Sequence, residues 1–426
     1  MSVPADEDVS PGGGLPPSAR LALVWSNFGP YHHARASALQ ELARPVRVFP
    51  IQLGSESTAY DWSRAPGACA GLETLFPGRA TESLSPARVF LRARRCFRRQ
   101  AIDFCFLPSY APGSSFAAFA AAKSLGLRTV MMNESHAGTA RAEGWRLCLK
   151  RLLVKSFDTA LVGGTPQVRY FASLGMPPEK IFPGYDCVDN EYFGSQSAHW
   201  RQDAQAARSR YALPDHYFLS LGRLVKKKNL GALMGAYGAF LARRPQAQQH
   251  LVIVGSGEEG DRLRQQAASQ GLPVHEKRDA PYLSAPPHAA APGVHFYGSR
   301  TVQENPIFYA LADAFVLPSL YEEWGLVVNE AMACGLPVIV SKTAGCAEDL
   351  VAPEKNGLLF DPESEAGLAD CLDRLSADPQ AMRMMGRNSA ELIRRWDCAN
   401  FAHNALRAVR AASVGPTWSL SEAPHR

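Results

Sequence analysis

The chain has 426 residues, 46% of them hydrophobic, with 45 Lys+Arg against 40 Asp+Glu and nine cysteines. That is length for two globular domains of ordinary size, and no apolar run approaches the roughly 20 residues that cross a bilayer. The cysteines are odd in number and form no C-x-x-C pair, which reads as a reduced chain of the cytoplasm and excludes a disulfide scaffold.

In chain order, residues 1–18 carry Asp6, Glu7, Asp8 and a GGG run and read as a disordered tail without a signal peptide. Strands and helices then alternate: LALVW, a helix through ARASALQELA, VRVFPI, an arginine-rich helix, DFCFLPS, a helix through FAAFAAAKSL, RTVMMN and FDTALVGG. This is an α/β domain, placed at 19–205, with the polar stretch 190–216 expected to hold the linker. A second α/β set, placed at 206–396, begins with YFLSL and a basic loop. It continues through LVIVG, a Pro/Ala-rich inserted loop at 277–293, VHFYG, AFVLPS, PVIVS and NGLLFD, and ends in two helices. The amphipathic run CANFAHNALRAVRAA, within 397–412, follows, and 413–426 reads as a second disordered tail.

Charge is uneven. Residues 1–200 hold 21 Lys+Arg and 16 Asp+Glu, whereas 201–426 hold 24 of each, so all of the net charge of +5 lies in the first half. Much of it sits in ARVFLRARRCFRRQ, where Arg88, Arg92, Arg94, Arg95, Arg98 and Arg99 interleave with apolar residues. As a helix this segment fits anionic lipid headgroups, or equally a core-facing helix with a solvated arginine face. No nucleic-acid reading motif accompanies it, so nucleic acid is not expected as a partner.

The most informative stretch is LPSLYEEWGLVVNEAMACGLPVIVS, residues 317–341. It reads as a strand, a loop, a helix closed by Gly335 and a second strand, with Glu322 and Glu330 seven residues apart around the strand-to-helix turn. Ligands of parallel α/β sheets gather at the carboxyl ends of strands, and free amides at a helix start favour phosphate. Gly325 lets backbone approach closely there. A hundred residues upstream, Gly222, Arg223 and Lys228 spell G-R-x4-K after another strand, offering a bidentate fork and a point charge to an anion. Between them Gly255, Gly257 and Gly260 spell G-x-G-x-x-G. No acidic residue closes the next strand, VHFYG, which argues against a nicotinamide cofactor and leaves either a helix entry or a turn near a nucleotide.

E-x7-E within E-x-W-G and NEAMACGLPV, with G-R-x4-K in register before it, resembles the donor-binding signature of family 4 glycosyltransferases of the GT-B fold. The likeness is clear over residues 217–362. It implies two Rossmann-like domains facing across a cleft, with the C-terminal helix crossing back to the first domain. It also implies retaining transfer of a hexose from a UDP- or GDP-linked sugar to a hydroxyl of a polysaccharide, glycolipid or small-molecule acceptor, by a front-face displacement needing no metal and no further cofactor. By the same resemblance, Glu322 contacts the sugar, Glu330 the ribose and Trp324 the sugar pocket. Gly222, Gly255 and the amides of Gly325, Leu326 and Val327 face the nucleotide diphosphate, and Arg223 and Lys228 stabilise the leaving phosphates. In the first domain, Gly29, His32 and His33 of SNFGPYHHAR and His136 of NESHAGT are the sugar- or phosphate-contacting candidates; as residues alone they read equally as ordinary loop and helix-start positions.

Two departures stand out. GYDCVDN replaces the family's approximate I-P-N-G-V-D, leaving open whether Asp186 or Asp189 takes the usual place, and Cys346 stands where a glycine is common. The expected partners are a nucleotide sugar, a sugar or lipid-linked acceptor, and an anionic membrane touched peripherally from the cytoplasm. A nucleotide-sugar epimerase of the same fold, or a silent sugar-nucleotide-binding subunit, are the alternatives.

Overall fold

Strand β1, Arg20–Trp25, is apolar and buried from Leu21 onward because both of its faces are covered, as in a parallel sheet between helix layers. Its residues alternate between two cores: Ala22 and Val24 point into one, and Leu21, Leu23 and Trp25 into the other. The computed structural model describes residues 15–57, 69–109, 113–140, 142–277, 279–281 and 291–413. Most of both predicted tails and of the Pro/Ala-rich loop lies outside these residues.

The chain divides into two units, residues 1–188 with 397–426, and residues 189–396. In the first, β1 is followed by α1 (Pro30–Leu42), β2 (Arg47–Glu56), β3 (Glu73–Ala80), α2 (Pro86–Arg99), β4 (Phe104–Pro108) and α3 (Gly113–Lys123). Then come β5 (Arg128–Asn133), α4 (Gly144–Lys155), β6 (Thr159–Val162), α5 (Thr165–Ser173) and β7 (Ile181–Phe182). The second unit runs α6 (Asn190–Gln202), α7 (Ala204–Tyr211), β8 (Tyr217–Leu221), α8 (Leu230–Arg243), β9 (His250–Val254), α9 (Gly260–Ser269), β10 (Val274–Glu276) and β11 (Val294–Phe296). It continues with α10 (Asn305–Leu311), β12 (Ala314–Leu317), α11 (Leu326–Ala333), β13 (Val338–Ser341), α12 (Ala347–Leu350), β14 (Gly357–Phe360), α13 (Glu365–Ala377) and α14 (Pro379–Ile393). Helix α15 (Cys398–Ser413) returns to the first unit.

Each unit is a seven-stranded sheet with all of its strand pairs parallel, ordered β3-β2-β1-β4-β5-β6-β7 and β10-β11-β9-β8-β12-β13-β14. In the first, α2 to α5 drop apolar side chains into the core on one face, while α1 and α15 cover the other. The arginine-rich α2 follows a helical period: Val89, Ala93, Cys96 and Phe97 are buried and its arginines turn outward or to the rim. Helix α15 contributes Phe401, Ala405, Leu406 and Val409, all fully enclosed, and its Ala408 carbonyl accepts a hydrogen bond from Thr159 Oγ1 at 3.1 Å. None of the nine cysteines is in a disulfide, and seven are buried as small apolar residues.

The expected first-domain limit of 205 is corrected to 188. The polar stretch read as a linker is two helices, and α6 belongs to the second unit because its side chains fasten there. Arg201 donates to the carbonyls of Ala310 (2.9 Å) and Cys334 (2.7 Å), Asn190 donates to that of Ile393 (2.9 Å), and Phe193 is enclosed. Strand β3, unread in the sequence, is an edge strand with three exposed residues in a row, so it lacks the apolar run that betrays the central strands.

Leu406→Ala in α15 removes a fully buried side chain where neighbouring helices and strands can close in only partly. It is expected to lower the stability of the first unit by about 3 kcal/mol in urea unfolding.

Candidate active site

Strands β8 and β12 are neighbours at the centre of the second sheet, and the chain leaves them in opposite directions: β8 leads through α8 to β9, β12 through α11 to β13. Helices packing to either side cannot fill the crevice outside such a diverging pair, which is where ligands of open parallel sheets bind. Two loops meet in it. The β8 loop carries Gly222, Arg223 and a single turn of 3-10 helix, Lys226–Lys228, and the β12 loop carries Ser319, Glu322, Glu323, Trp324 and Gly325.

The loops are tied to each other by backbone and by charge. The Leu320 N–H donates to the Lys227 carbonyl at 2.8 Å. Lys227 Nζ lies 3.1 Å from Glu322 Oε1 and 2.6 Å from Glu323 Oε2, Lys228 Nζ pairs with Glu322 Oε2, and Ser319 Oγ donates to that same oxygen at 3.3 Å. Glu322 is 8% exposed. Burial by itself would raise its pKa, but the cations of Lys228 and Lys227 outweigh burial and hold the carboxyl below its ordinary range. Lys227 shows the converse: burial disfavours its charge, and Glu322 and Glu323 more than restore it. Arg223 is exposed and lines a small recess with Gly222, Leu224, Lys228, Leu317 and Pro318.

The glycines explain how the loops come so close. Gly222 N–H donates to the Val254 carbonyl at 2.9 Å, and Gly255, at φ +141°, is so near that a Cβ there would sit 1.9 Å from the Gly222 oxygen. Leu224 and Ser256 join the same two turns by a further 2.9 Å backbone bond. The G-x-G-x-x-G run is thus a backbone packing surface beneath the Arg223 turn. At the β12 loop, Gly325 takes φ +109° at the start of α11. The amides of Leu326 and Val327 that follow have no acceptor inside the helix.

Trp324, expected to shape a sugar pocket, is enclosed within the second unit. It is 1% exposed, its Nε1–H donates to Asn329 Oδ1 at 2.9 Å, and its ring lies 5.1 Å from that of Trp396. Glu330 is fully enclosed on α11. Of the residues that matter here, Lys227 and Ser319 escaped the sequence reading. Lys227 hides in a run of three lysines of which any could face solvent, and Ser319 carries no local signal.

In the first unit, the predicted residues lie at the carboxyl ends of β1 and β5, which flank β4. Gly29 N–H donates to His32 Nδ1 at 2.9 Å. Burial, then Arg35 and His33, push the His32 pKa well down, so the ring is neutral and its hydrogen sits on Nε2. His33 Nδ1 accepts from the Cys69 N–H at 3.2 Å, and burial lowers its pKa as well. His136 is 7% exposed and accepts the Gly138 N–H on Nδ1 at 3.2 Å, capping a 3-10 turn. The open question over the two aspartates resolves into different roles. Asp189 caps α6 through the Tyr192 N–H at 2.9 Å, whereas Asp186 is fully buried 3.7 Å from Arg35 Nη2. Burial first and Glu134 second push the Asp186 pKa well above the carboxylate range, against Arg35. Arg35 also donates twice to the Cys187 carbonyl, at 3.1 and 2.9 Å.

Because the Glu322 pKa is lowered in the fold, the stability it contributes is present above the ordinary carboxylate pKa of about 4.3 and is lost as pH falls through the lowered value. At neutral pH, Glu322→Gln is expected to cost on the order of 2 kcal/mol in urea unfolding. The gap to wild type should close as the titrations are moved to acid pH.

Residues 215–378 match the family described as glycosyl transferases group 1. Among curated proteins, mannosylfructose-phosphate synthase of Agrobacterium fabrum is 29% identical over 245 residues, 55% of this chain and 48% of that protein. A GDP-mannose-dependent alpha-(1-6)-phosphatidylinositol monomannoside mannosyltransferase of Mycobacterium tuberculosis is 26% identical over 401 residues, covering 89% of this chain and 95% of that one. The chain spans about half or less of the length of the curated relatives it matches most strongly. Of solved structures, Anabaena HepE in complex with UDP-glucose superposes with a TM-score of 0.65 at 19% identity, over 93% of this chain and all of that one. Sucrose-phosphate synthase of Thermosynechococcus elongatus does so at 0.67 and 19%, over 92% and 98%. These likenesses establish the fold, two Rossmann-like α/β units of the GT-B type.

Proposed function

We propose that this chain, whose residues 215–378 belong to the glycosyl transferases group 1 family, moves a hexose from a UDP- or GDP-linked sugar to a hydroxyl of a polysaccharide, glycolipid or small-molecule acceptor, with retention of the anomeric configuration. The observation that carries this reading is the meeting of the Arg223–Lys228 turn with the Glu322–Gly325 turn at the switch point of the second sheet. Cations, a pinned carboxylate and helix-start amides converge there within one crevice.

The division of labour follows from the chemistry of each group. As the bond from sugar to phosphate breaks, charge grows on the departing nucleoside diphosphate, and fixed cations at Arg223 and Lys228 stabilise that state more than the ground state. The Leu326 and Val327 amides offer donors of the kind phosphate oxygens accept. Glu322, kept ionised by Lys227 and Lys228, is an acceptor for hydroxyls of the transferred sugar. Glu330 is the candidate for the ribose and Gly255 supports the turn below it. No strong general base is needed when the leaving phosphate takes the acceptor proton from the same face. Gly29, His32, His33 and His136 are the first unit's candidate contacts to sugar or phosphate, with His32 offering its Nε2–H.

The Mycobacterium protein is named for dependence on GDP-mannose and for phosphatidylinositol monomannoside, and the Anabaena structure holds UDP-glucose. Both support a nucleoside diphosphate sugar here, and the first supports a lipid acceptor, which we place at the cytoplasmic face of a membrane that the protein touches peripherally. The test is thermal denaturation of the full chain against a panel of nucleoside diphosphates and their sugars. One base is expected to raise the Tm by several degrees, and the Arg223→Ala/Lys228→Ala variant should lose that shift. Each single variant should lower kcat/KM by about 10²- to 10³-fold. A shift retained in the double variant would move the donor site elsewhere.

A further inference from the structure

Six large hydrophobic side chains are exposed among the described residues, and five of them lie on three successive helices of the first unit: Leu91 on α2, Phe116 on α3, and Trp145, Leu149 and Leu152 on α4. All three helices pack into the same core, on the sheet face opposite α1 and α15. They also share a charge pattern. Their sequences contain six, one and four Lys or Arg residues respectively and not one Asp or Glu. Leu91 is 65% exposed, Trp145 72% and Leu152 67%, far beyond what a helix needs to seal its core.

Helix α4 shows the most organised version. Trp145, Cys148, Leu149 and Leu152 are exposed and fall within an arc of about 100° at 3.6 residues per turn. Val154 is buried and Leu147, Lys150 and Leu153 are half-buried towards the unit. Exposed Arg146 borders the apolar arc on one side and exposed Arg151 and Lys155 on the other. No helix among the described residues is long and apolar enough to cross a membrane, so an apolar arc of this kind has to be met from outside. At one edge of the same layer, Arg79, Arg88 and Arg92 line a recess of about 480 Å³ with Phe76 and Pro77.

We propose that α4 is a membrane-docking helix, lying in the interface of an anionic bilayer with Trp145, Leu149 and Leu152 among the acyl chains and the basic residues of α4 and α2 on the headgroups. The occupant follows from complementarity. A second copy of this face would bring two strongly cationic layers together, which repel, and nucleic acid leaves the aliphatic side chains without a partner. A helix with an apolar stripe bordered by Lys and Arg gains from both the acyl region and the anionic headgroups. This inference rests on the reading that the acceptor is membrane-borne, and it shifts the point of insertion from the arginine-rich α2 to α4.

The experiment is cosedimentation of the full-length protein with vesicles of phosphatidylcholine alone or with added phosphatidylglycerol, at low and high salt. Wild type, the triple variant Trp145→Ser/Leu149→Ser/Leu152→Ser, and Trp145→Phe are compared. The substituted side chains are exposed, so Tm and the nucleotide-dependent shift should match wild type and report an intact fold and donor site. The proposal expects wild type to bind only the anionic vesicles, more weakly at high salt, and the triple variant to bind about tenfold less or worse. It also expects a blue shift of tryptophan emission on binding that Trp145→Phe lacks. Binding of the triple variant at wild-type strength would overturn α4 as the docking element while leaving membrane association standing. No binding by wild type at low salt would overturn both, with the donor reading still judged separately by the nucleotide shift. A dimer in sedimentation velocity that the triple variant dissolves would assign the face to a second copy and overturn the lipid.

Discussion

The geometry of the second unit's site depends on one carboxylate held between two lysines. Glu322 sits on the loop after β12, Lys227 and Lys228 on the loop after β8, and the strands that carry them part company immediately afterwards. A nearly buried charge is costly unless its partners are fixed, so the pairing sets the separation of the two loops without any ligand. Lys227 and Lys228 pair with Glu322 and Glu323 while Arg223 lines the adjoining recess, so three cations stand against two carboxylates and the crevice keeps an excess of positive charge. Close backbone contact makes the arrangement compact: Gly222 and Gly255 approach to a distance that no side chain tolerates, which draws the Arg223 turn down onto the start of the α9 segment.

The first unit solves a different problem. Its loops at the ends of β1 and β5 are stabilised by local polar bonds, with histidine nitrogens accepting backbone amides and Arg35 held among Tyr185, Asp186 and the Cys187 carbonyl. Burial of Arg35 at 1% exposure fixes the segment before the chain leaves the unit. The Asp186 carboxyl, shut away from water and close to Glu134, has its pKa pushed well above the ordinary carboxylate value, against the pull of Arg35.

The central strands of the two sheets were legible because buried parallel strands are continuous apolar runs: LALVW, RTVMMN and AFVLPS needed no context. The charged turn pair was legible because G-R-x4-K and E-x7-E fall at strand ends in register. What escaped had physical reasons. Residues 190–211 are polar enough to pass for a linker, and only the hydrogen bonds of Arg201 and Asn190 show that α6 is fastened to the second unit. Trp324 reads as a ligand-facing aromatic until Asn329 and Trp396 are seen to enclose it. The arginine-rich segment advertised its charge, but the exposed apolar arc of α4 was invisible, since GWRLCLKRLLVK alternates in a way that gives no hint of which leucines the core takes.

Helix α15 closes the sheet face of the first unit with residues made only after the whole of the second unit. During synthesis the seven strands of the first sheet therefore emerge with one apolar face covered only by α1, and the rest of that face waits through some two hundred residues before Phe401, Leu406 and Val409 arrive. The vectorial order of folding is thereby inverted for half of the molecule: the unit that begins first finishes second, and a chain stopped short of residue 398 exposes a hydrophobic sheet surface of the kind that chaperones hold and proteases clear.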